Sequence, residues 1–246
     1  MMSMLKHFLR QIGDMCVMLA LVGVLTVTFS SCDSHEPEPY VDLGIHPGHI
    51  LCIDGNVMSA DDYFSQPHVK AAAVIFTEQL SDDRFLAVML HQLDSVQFCD
   101  SLGLALGTSG DFYAYDGYSN TTAMQHGYDA KTGHGSPLAA MVFRSQEYGQ
   151  SGFVPSVGEM RLLYQQRHIV NGVLQRLIAE GDSSVDSLSV DLDNGRCLYW
   201  TSTEVAANKG YQSWVFSMSG GNPEESPVDN RHMARVITSY YPIMNK

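Results

Sequence analysis

Residues 154–181 read VPSVGEMRLLYQQRHIVNGVLQRLIAEG, the clearest helical pattern in the chain. Ser156 and Glu159 have the S-x-x-E spacing of a capping box, in which the hydroxyl accepts an early backbone N–H and the carboxylate accepts the N–H of the cap. Apolar side chains then recur at helical spacing in two runs: Met160, Leu163 and Tyr164, then Ile169, Val173, Leu174, Leu177 and Ile178. The pattern predicts two helices separated near Arg167, with a stop at Gly181.

Strand-like segments lie on the N-terminal side of this region. Residues 49–53 have strand character and lead into the turn signal Asp54–Gly55. The apolar runs 70–76 and 85–90, joined by a polar loop, predict a hairpin that is buried on at least one face. A further helix is predicted for residues 136–148, because Pro137 suits a first turn.

Three strand-like segments follow the helical region: CLYWTSTE (197–204), YQSWVFSMS (211–219) and HMARVITSYY (232–241). The last of them is too apolar to stay unpaired in water. Residues 220–230, GGNPEESPVDN, contain the glycines and prolines of a turn. The order of strands, loops, helices and strands predicts an α+β fold with a mostly antiparallel sheet, not an alternating βαβ fold.

The composition is that of a folded acidic protein. The chain has 246 residues with a formal net charge of -13, a hydrophobic content of 45% and a charged content of 17%. An apolar content this high is unlike a disordered chain. Nucleic acid is not expected as a partner, because phosphate binding needs clustered Lys and Arg, and the acidic balance disfavours docking on anionic lipid.

The N-terminus has the layout of a targeting segment. Lys6 and Arg10 precede a stretch without charge at 15–29, which is too short for a comfortable membrane span. The following TFSSC resembles the lipobox of bacterial lipoprotein signal peptides, although Phe29 stands where Leu is usual. The resemblance implies lipidation of Cys32 and a membrane-anchored protein of the cell envelope, at the outer membrane, with an outward-facing and a periplasmic placement both left open. The alternatives are an ordinary secretory signal and an uncleaved anchor.

The resulting domain prediction has three parts. Residues 1–31 are the signal peptide, residues 32–44 an acidic, Pro-containing tether, and residues 45–246 one domain. The domain keeps three cysteines without short spacing, Cys52, Cys99 and Cys197. One disulfide with one remaining thiol and three buried thiols are both compatible with that spacing.

Four motifs have the arrangement of a known family. GFVPSVGEMRLLY (152–164) is followed by YWTSTE (199–204), YQSWVFSM (211–218) and ARVITSY (234–240). Together they resemble the C-terminal domain family of collagen-like bacterial adhesins, which is similar in fold to formylglycine-generating enzymes. The resemblance covers most of residues 45–246 and implies a fold more firmly than an activity.

The family motifs match individual positions of this chain. The fold-signature positions are Ser156, Glu159, Trp200, Ser202, Thr203, Trp214 and Arg235. The resemblance implies a C-type lectin-like fold with a mostly antiparallel sheet, two or three helices and long loops. In that fold Trp200 would be an apolar anchor beside Trp214, and hydroxyls of its strand would hydrogen-bond neighbouring loops. Glu204 would pair with a cation, for which Arg235 is one candidate.

Two activities known for this fold lack their motifs here. A calcium-dependent sugar site uses Glu-Pro-Asn or Gln-Pro-Asp with Trp-Asn-Asp, whereas residues 222–224 are Asn-Pro-Glu and residues 199–204 lack the Asn-Asp pair. A turn is the favoured interpretation of 220–225. Oxidase chemistry needs reactive cysteines, and Cys197 has no second cysteine near it in sequence.

A metal site and common catalytic motifs are also disfavoured. His46, His49 and Cys52, with Asp54 beyond, are metal-ligand types at close spacing. They straddle the start of a strand, where alternate side chains point to opposite sides, so we expect no metal and no cofactor. The sequence contains no G-x-S-x-G, S-x-x-K or P-loop motif.

The best ligand candidates lie in YAYDGYSN, residues 113–120: Tyr113, Tyr115, Tyr118 and Asn120. Aromatic rings stack on the C–H faces of sugars, and amides bond to their hydroxyls. The alternative is that these tyrosines cover the core. We expect a non-enzymatic envelope protein that binds a glycan or a protein surface, as an adhesin or an accessory subunit. The alternatives are an enzyme related to formylglycine-generating oxidases, an unrecognised hydrolase, and a structural subunit of a surface assembly.

Overall fold

The computed structural model describes residues 44–65, 69–144, 152–182, 185–187 and 197–242. Cys32, the expected signal peptide and nearly all of the expected tether lie outside these residues. So do the end of the helix expected at 136–148 and most of the loop expected at 182–194. The domain boundaries therefore stay predictions.

Nine strands and four helices occur in the described residues. The strands are β1 (Ile50–Cys52), β2 (Val57–Met58), β3 (Ala71–Ile75), β4 (Phe85–Gln97), β5 (Gly152–Phe153), β6 (Leu198–Glu204), β7 (Gln212–Ser217), β8 (Pro223–Pro227) and β9 (Arg231–Tyr240). The helices are α1 (Ala60–Ser65), α2 (Gly117–His126), α3 (Pro137–Arg144) and α4 (Val157–Ala179). The expected N-terminal strand, hairpin, Pro137 helix and three C-terminal strands are confirmed, and the short α1 brings the helices to one more than the expected two or three.

These strands form one sheet in the order β2-β1-β3-β4-β9-β6-β7-β8, with β5 pairing to β9. Neighbouring strands are antiparallel except β6 and β9, which are parallel at Tyr199 and Met233. Because β9 pairs with β4, β5 and β6, the apolar C-terminal segment is paired as predicted. The fold class, α+β with a mostly antiparallel sheet, is confirmed.

The sheet separates two hydrophobic clusters. The first contains Leu163, Leu174 and Leu177 of α4 together with Tyr199 of β6. The second contains Leu138 and Val142 of α3, Met124 of α2 and Trp200 of β6. Since successive strand residues face opposite sides, β6 contributes to both clusters and lies at the centre of the domain.

Helix α4 runs unbroken for 23 residues, so the expected separation near Arg167 is wrong. The buried positions of its second half are Val170, Val173, Leu174 and Leu177, whereas Ile169 and Ile178 are exposed. The interruption in the apolar pattern marks a solvent-facing turn of one helix. Arg167 donates to the carbonyl of Tyr164 there. The helix stops as predicted, because Gly181 adopts a φ of 96° that disfavours other residues.

Strand β8 was not predicted, because its prolines and the preceding Gly220 and Gly221 suggested only a turn. It pairs with β7 and lies at the end of the sheet order. An edge strand tolerates proline, since the missing N–H can face solvent. The prolines at both ends, Pro223 and Pro227, and the charged Glu224 and Glu225 also protect the edge against pairing with another chain.

The three cysteines of the domain are buried thiols. Cys52 and Cys197 belong to the first hydrophobic cluster, and Cys99 belongs to the second. The cysteine spacing was compatible with one disulfide and one thiol or with three buried thiols, and the structure contains the three buried thiols. Within the described ranges, no helix combines the length and apolar character needed to cross a membrane.

Candidate functional site

Strand β6, which carries YWTSTE, is a structural element. All of its seven residues are buried. The hydroxyl of Tyr199 donates to Gln92 Oε1 at 2.7 Å, and Trp200 Nε1 donates to the carbonyl of Val96 at 2.8 Å. A ligand cannot reach these side chains without opening the core.

The hydroxyls of β6 bond to a neighbouring helix and strand, whereas the resemblance implied bonds to neighbouring loops. Thr203 Oγ1 accepts the N–H of Val157, the first residue of α4, at 3.2 Å. Thr201 Oγ1 donates to the carbonyl of Trp214 at 2.8 Å. The backbone N–H of Ser202 donates to the carbonyl of Pro155 at 2.8 Å. Strand β6 thereby fixes where α4 begins.

The expected pair of Glu204 and Arg235 does not form. Glu204 accepts from the backbone N–H groups of Thr108 and Gly210 and from the Thr108 hydroxyl. Arg235 donates through Nη2 to the carbonyls of Leu90 and Asp186. Among the described residues, Arg235 Nε and Nη1 have no hydrogen-bond partner. Desolvation by burial lowers the pKa of this guanidinium to about 10.

Trp200 does not pack beside Trp214, which was its expected neighbour. Trp200 packs against Phe98, at 5.6 Å between ring centroids, and against His232 at 4.8 Å. Trp214 is only partly buried, and its ring meets Phe112 at 5.0 Å. Adjacent strands bring Trp200 opposite Val215, so Trp214 belongs to the other side of the sheet.

The three candidate tyrosines lie on one exposed stretch. We call residues 111–118 the tyrosine loop. Tyr113 is 75% exposed, Tyr115 46% and Tyr118 58%. Tyr118 is the second residue of α2 and meets Phe153 edge-on at 5.9 Å. Tyr118 therefore also covers a ring of the first hydrophobic cluster, whereas Tyr113 lies mostly in solvent.

Side chains from outside the tyrosine loop hydrogen-bond to its backbone carbonyls. Ser156 Oγ donates to the carbonyl of Ala114 at 2.7 Å, and Arg84 Nη2 donates to the carbonyl of Tyr115 at 2.9 Å. Gly158 lets the loop approach α4, because a Cβ there would lie 2.7 Å from the carbonyl oxygen of Ala114. The loop is thus fixed while its rings point outward.

The fourth candidate, Asn120, lies inside this framework and is 2% exposed. Its Oδ1 accepts the N–H of Ser109 at 2.7 Å, and its Nδ2 donates to Asp116 Oδ1 at 2.8 Å. A weaker contact of 3.5 Å reaches Ser202 Oγ. The structure therefore places Asn120 as a support of the loop and not on its surface. The sequence alone did not separate these roles, because both favour an amide.

A buried carboxylate lies next to the tyrosine loop. Glu159 Oε2 accepts the N–H of Ser156 at 2.8 Å, and Ser156 Oγ accepts the N–H of Glu159 at 3.3 Å, which confirms the predicted capping box. Glu159 Oε1 lies 4.0 Å from Arg84 Nη2 and has no hydrogen bond to the described part of the chain. Desolvation by burial raises the pKa of Glu159 to about 7. A Cβ at Gly117 would collide with this carboxylate, so the start of α2 requires glycine.

Beside the tyrosine loop, four side chains form what we call the aromatic platform: Phe112, Tyr113, Arg161 and Trp214. The guanidinium of Arg161 lies 4.3 Å from the ring centroid of Phe112 and 5.0 Å from that of Tyr113. Phe112 meets Tyr113 at 5.5 Å and Trp214 at 5.0 Å. Sequence reasoning missed Phe112 and Arg161 and assigned Trp214 to the core. Only the packing of the loop against α4 and β7 brings them together.

A separate open cavity of about 320 Å³ lies between α2 and α3. Met124 and Ala140 are among its apolar lining residues, and Tyr128 and Phe143 are its aromatic ones. No sequence motif marked this cavity.

The metal-ligand types near the N-terminus of the domain do not converge. His46 Nδ1 lies 3.1 Å from Glu78 Oε2, and its ring meets that of His49 edge-on. Cys52 is part of the first hydrophobic cluster. Over the described ranges, no group of three His, Cys, Asp or Glu side chains is arranged to hold a metal ion.

The comparisons with known proteins add no assignment to this geometry. No protein-family model matches the chain, and no curated protein matches it. The function has to be argued from the tyrosine loop, the aromatic platform and the cavity. The loop and the platform combine exposed aromatic rings, a cation and a fixed backbone, which suits recognition better than bond-breaking chemistry.

Proposed function

We propose that this protein is a lipid-anchored, non-enzymatic component of a bacterial cell envelope that binds a glycan through the tyrosine loop. Its domain would be C-type lectin-like. The buried positions of Ser156, Glu159, Trp200 and Thr203 at the junction of β6 and α4 support that fold. The acidic balance and the scarcity of basic residues argue against nucleic acid as the ligand.

The carrying observation is a rigid loop that presents three exposed tyrosines. Exposed aromatic rings contribute little to folding, and a cluster of them is typical of a binding surface. The hydrogen bonds from Ser156 and Arg84 fix the backbone of the loop before any ligand arrives. Preorganisation of this kind lowers the entropy lost on binding. Tyrosine is well suited to this role, since it provides a large contact area with few rotatable bonds.

The cysteines support a non-enzymatic role. Desolvation by burial raises the pKa of the Cys52 thiol to about 11, and it raises the pKa of Cys99 as well. Cys197 is buried in the first hydrophobic cluster. A reactive cysteine needs an accessible thiolate, so these side chains are poor candidates for oxidase chemistry.

The purified protein is expected to bind at least one glycan on a glycan array, and Tyr113→Ala with Tyr118→Ala is expected to weaken that binding. Each lost stacking contact removes about 1 kcal/mol, so the double variant should bind about tenfold or more weakly. The affinity for the glycan found on the array is measured by isothermal titration calorimetry.

Tyr211→Ala is the matched control, because Tyr211 is 57% exposed like Tyr118 but precedes β7 and lies against Gly103. It should leave the affinity unchanged. Equal losses in both variants would argue against the tyrosine loop as the site. A protein that binds no glycan on the array would overturn the glycan proposal and leave a protein surface as the partner to be tested.

The anchor has its own expected outcome. Cells that express the chain and receive a radiolabelled or clickable fatty acid should label the wild-type protein, whereas Cys32→Ser should carry no label, because the lipid is attached through that thiol. Cys16→Ser is the control and should label normally. Label retained in Cys32→Ser would disprove the anchor assignment.

A further inference from the structure

We propose that the glycan bound at this surface carries an anionic group, a carboxylate or a sulfate ester, which Arg161 of the aromatic platform receives. This inference rests on the proposed function and specifies the class of sugar. The rings of Phe112, Tyr113 and Trp214 would contact the apolar face of the sugar, and Arg161 would bind its charged substituent.

Arg161 is held by stacking and not by an acid. Its guanidinium lies over Phe112 and Tyr113, at 4.3 and 5.0 Å from their centroids. Within the described residues it makes no ion pair and no side-chain hydrogen bond. Stacking fixes the plane of the guanidinium and leaves its N–H groups at the edge, where a planar anion can accept two parallel hydrogen bonds.

A second arginine on the same helix, Arg176, has an acidic partner. Arg176 also stacks on a ring, at 4.1 Å from the centroid of Phe64, but its Nη1 donates to Asp61 Oδ1 at 3.0 Å. The whole chain has 27 acidic residues against 14 Lys and Arg, so carboxylates are abundant relative to arginines. Arg167, Arg231 and Arg235 also lack an acidic partner within the described residues, but each donates to a backbone carbonyl. Arg161 differs from them because its N–H groups are not used by the described part of the chain.

The charges around the platform limit the ligand further. Glu225 lies opposite Trp214 across the β7–β8 pair, so its side chain is on the same face of the sheet. Asp111 uses its carboxylate to accept the N–H of Tyr113 at 2.9 Å. On the next turns of α4, Arg167 stacks on Tyr164 at 3.9 Å and donates to its carbonyl. Arg161 is the cation of the platform, and Glu225 and Asp111 add negative charge next to Trp214 and Tyr113. This combination suits a single anionic group on an otherwise neutral sugar more than a densely charged polymer.

The test compares a charged sugar with its neutral counterpart. The purified full-length protein is titrated with a galactose trisaccharide that ends in one galacturonic acid, with the methyl ester of that trisaccharide, and with the same trisaccharide carrying one sulfate ester in place of the carboxylate. The wild-type protein should bind the acid or the sulfated sugar at least tenfold more tightly than the methyl ester, because one charge-assisted, bidentate contact is lost in the ester. The preference should shrink as the salt concentration rises.

Two substitutions assign this preference to Arg161. Arg161→Gln should abolish the preference for the charged sugar, and Arg161→Lys should restore part of it, since it keeps the charge but loses the planar fork. The matched control Arg176→Gln, on the same helix, should bind as the wild type does. If the sulfated sugar alone is preferred, the anion is a sulfate ester; if the acid alone is preferred, it is a carboxylate.

The contrary outcomes are distinguishable. Equal affinity for the acid, the ester and the sulfated sugar, or an undiminished preference in Arg161→Gln, would overturn the anionic ligand while the protein could still bind neutral glycans. Binding of neutral glycans on the array without any binding of the two charged probes would also overturn the anionic ligand. Absence of binding to every glycan would overturn this inference together with the proposed function.

Discussion

Trp200→Ala is expected to lower the free energy of unfolding by about 3–5 kcal/mol, because it removes the largest fully buried side chain of the domain. The indole packs against Phe98 and His232, and its N–H donates to the carbonyl of Val96. Alanine would leave a cavity in the second hydrophobic cluster and would leave that carbonyl without its donor. Because β6 contributes to both clusters, the loss should reach the whole domain.

The measurement is urea unfolding followed by circular dichroism, with the melting temperature as a second readout. The melting temperature should fall by on the order of 10 °C. Trp214→Ala is the matched control, since the chain has only 2 tryptophans and Trp214 is partly exposed on the platform. It should cost much less stability but weaken glycan binding. Similar stability losses in both variants would contradict the assignment of Trp200 to the core and Trp214 to the surface.

Glu159→Gln is expected to stabilise the protein at neutral and alkaline pH, by up to about 3 kcal/mol above pH 7. Desolvation by burial raises the pKa of Glu159 from 4.5 to about 7, although the Ser156 N–H and the charge of Arg84 act in the opposite direction. Asp116 is the nearby acid that raises it further. Glutamine can still accept the N–H of Ser156, and it never has to carry a buried charge.

The direction of this pH dependence follows from the number of protons that the folded and unfolded states bind. Between pH 4.5 and about 7 the folded state holds a proton on Glu159 that the unfolded chain has released, so stability from this group falls as pH rises through that window. Below pH 4.5 its contribution is fully present, and above pH 7 it is lost. His49 and His232 have pKa values lowered by desolvation, and they act in the opposite direction below pH 6.5. The difference between Glu159→Gln and wild type therefore reports on Glu159 alone.

The stability difference is measured by urea unfolding at pH 5, 6, 7 and 8. It should grow with pH and level off at the highest values. Glu180→Gln, at the exposed C-terminal end of α4, is the control and should show no such pH-dependent gain. A gain that is constant across these four pH values would mean that Glu159 does not titrate in this range.

Local patterns in the sequence were sufficient for much of this domain. The capping box of Ser156 and Glu159, the stop at Gly181, the hairpin of β3 and β4 and the three C-terminal strands were all predicted. Each depends on residues close together in the chain: a hydroxyl and a carboxylate three positions apart, a glycine with positive φ, or an alternation of apolar side chains. The outward direction of Tyr113 and its neighbours was left open, because exposed rings and lids over the core have the same composition.

Only tertiary packing decided the remaining features. Glu204 and Arg235 were expected to form an ion pair. Instead, Glu204 accepts the N–H groups of Thr108 and Gly210, and Arg235 donates to the carbonyls of Leu90 and Asp186. Three of these four partners, Thr108, Leu90 and Asp186, lie more than forty positions away. Such distant pairings are set by the register of the strands and by the way loops cross them, and a single sequence does not encode that register in any short pattern. Strand geometry made YWTSTE part of the core, and the contact of the tyrosine loop with α4 assembled the surface that the ligand is expected to meet.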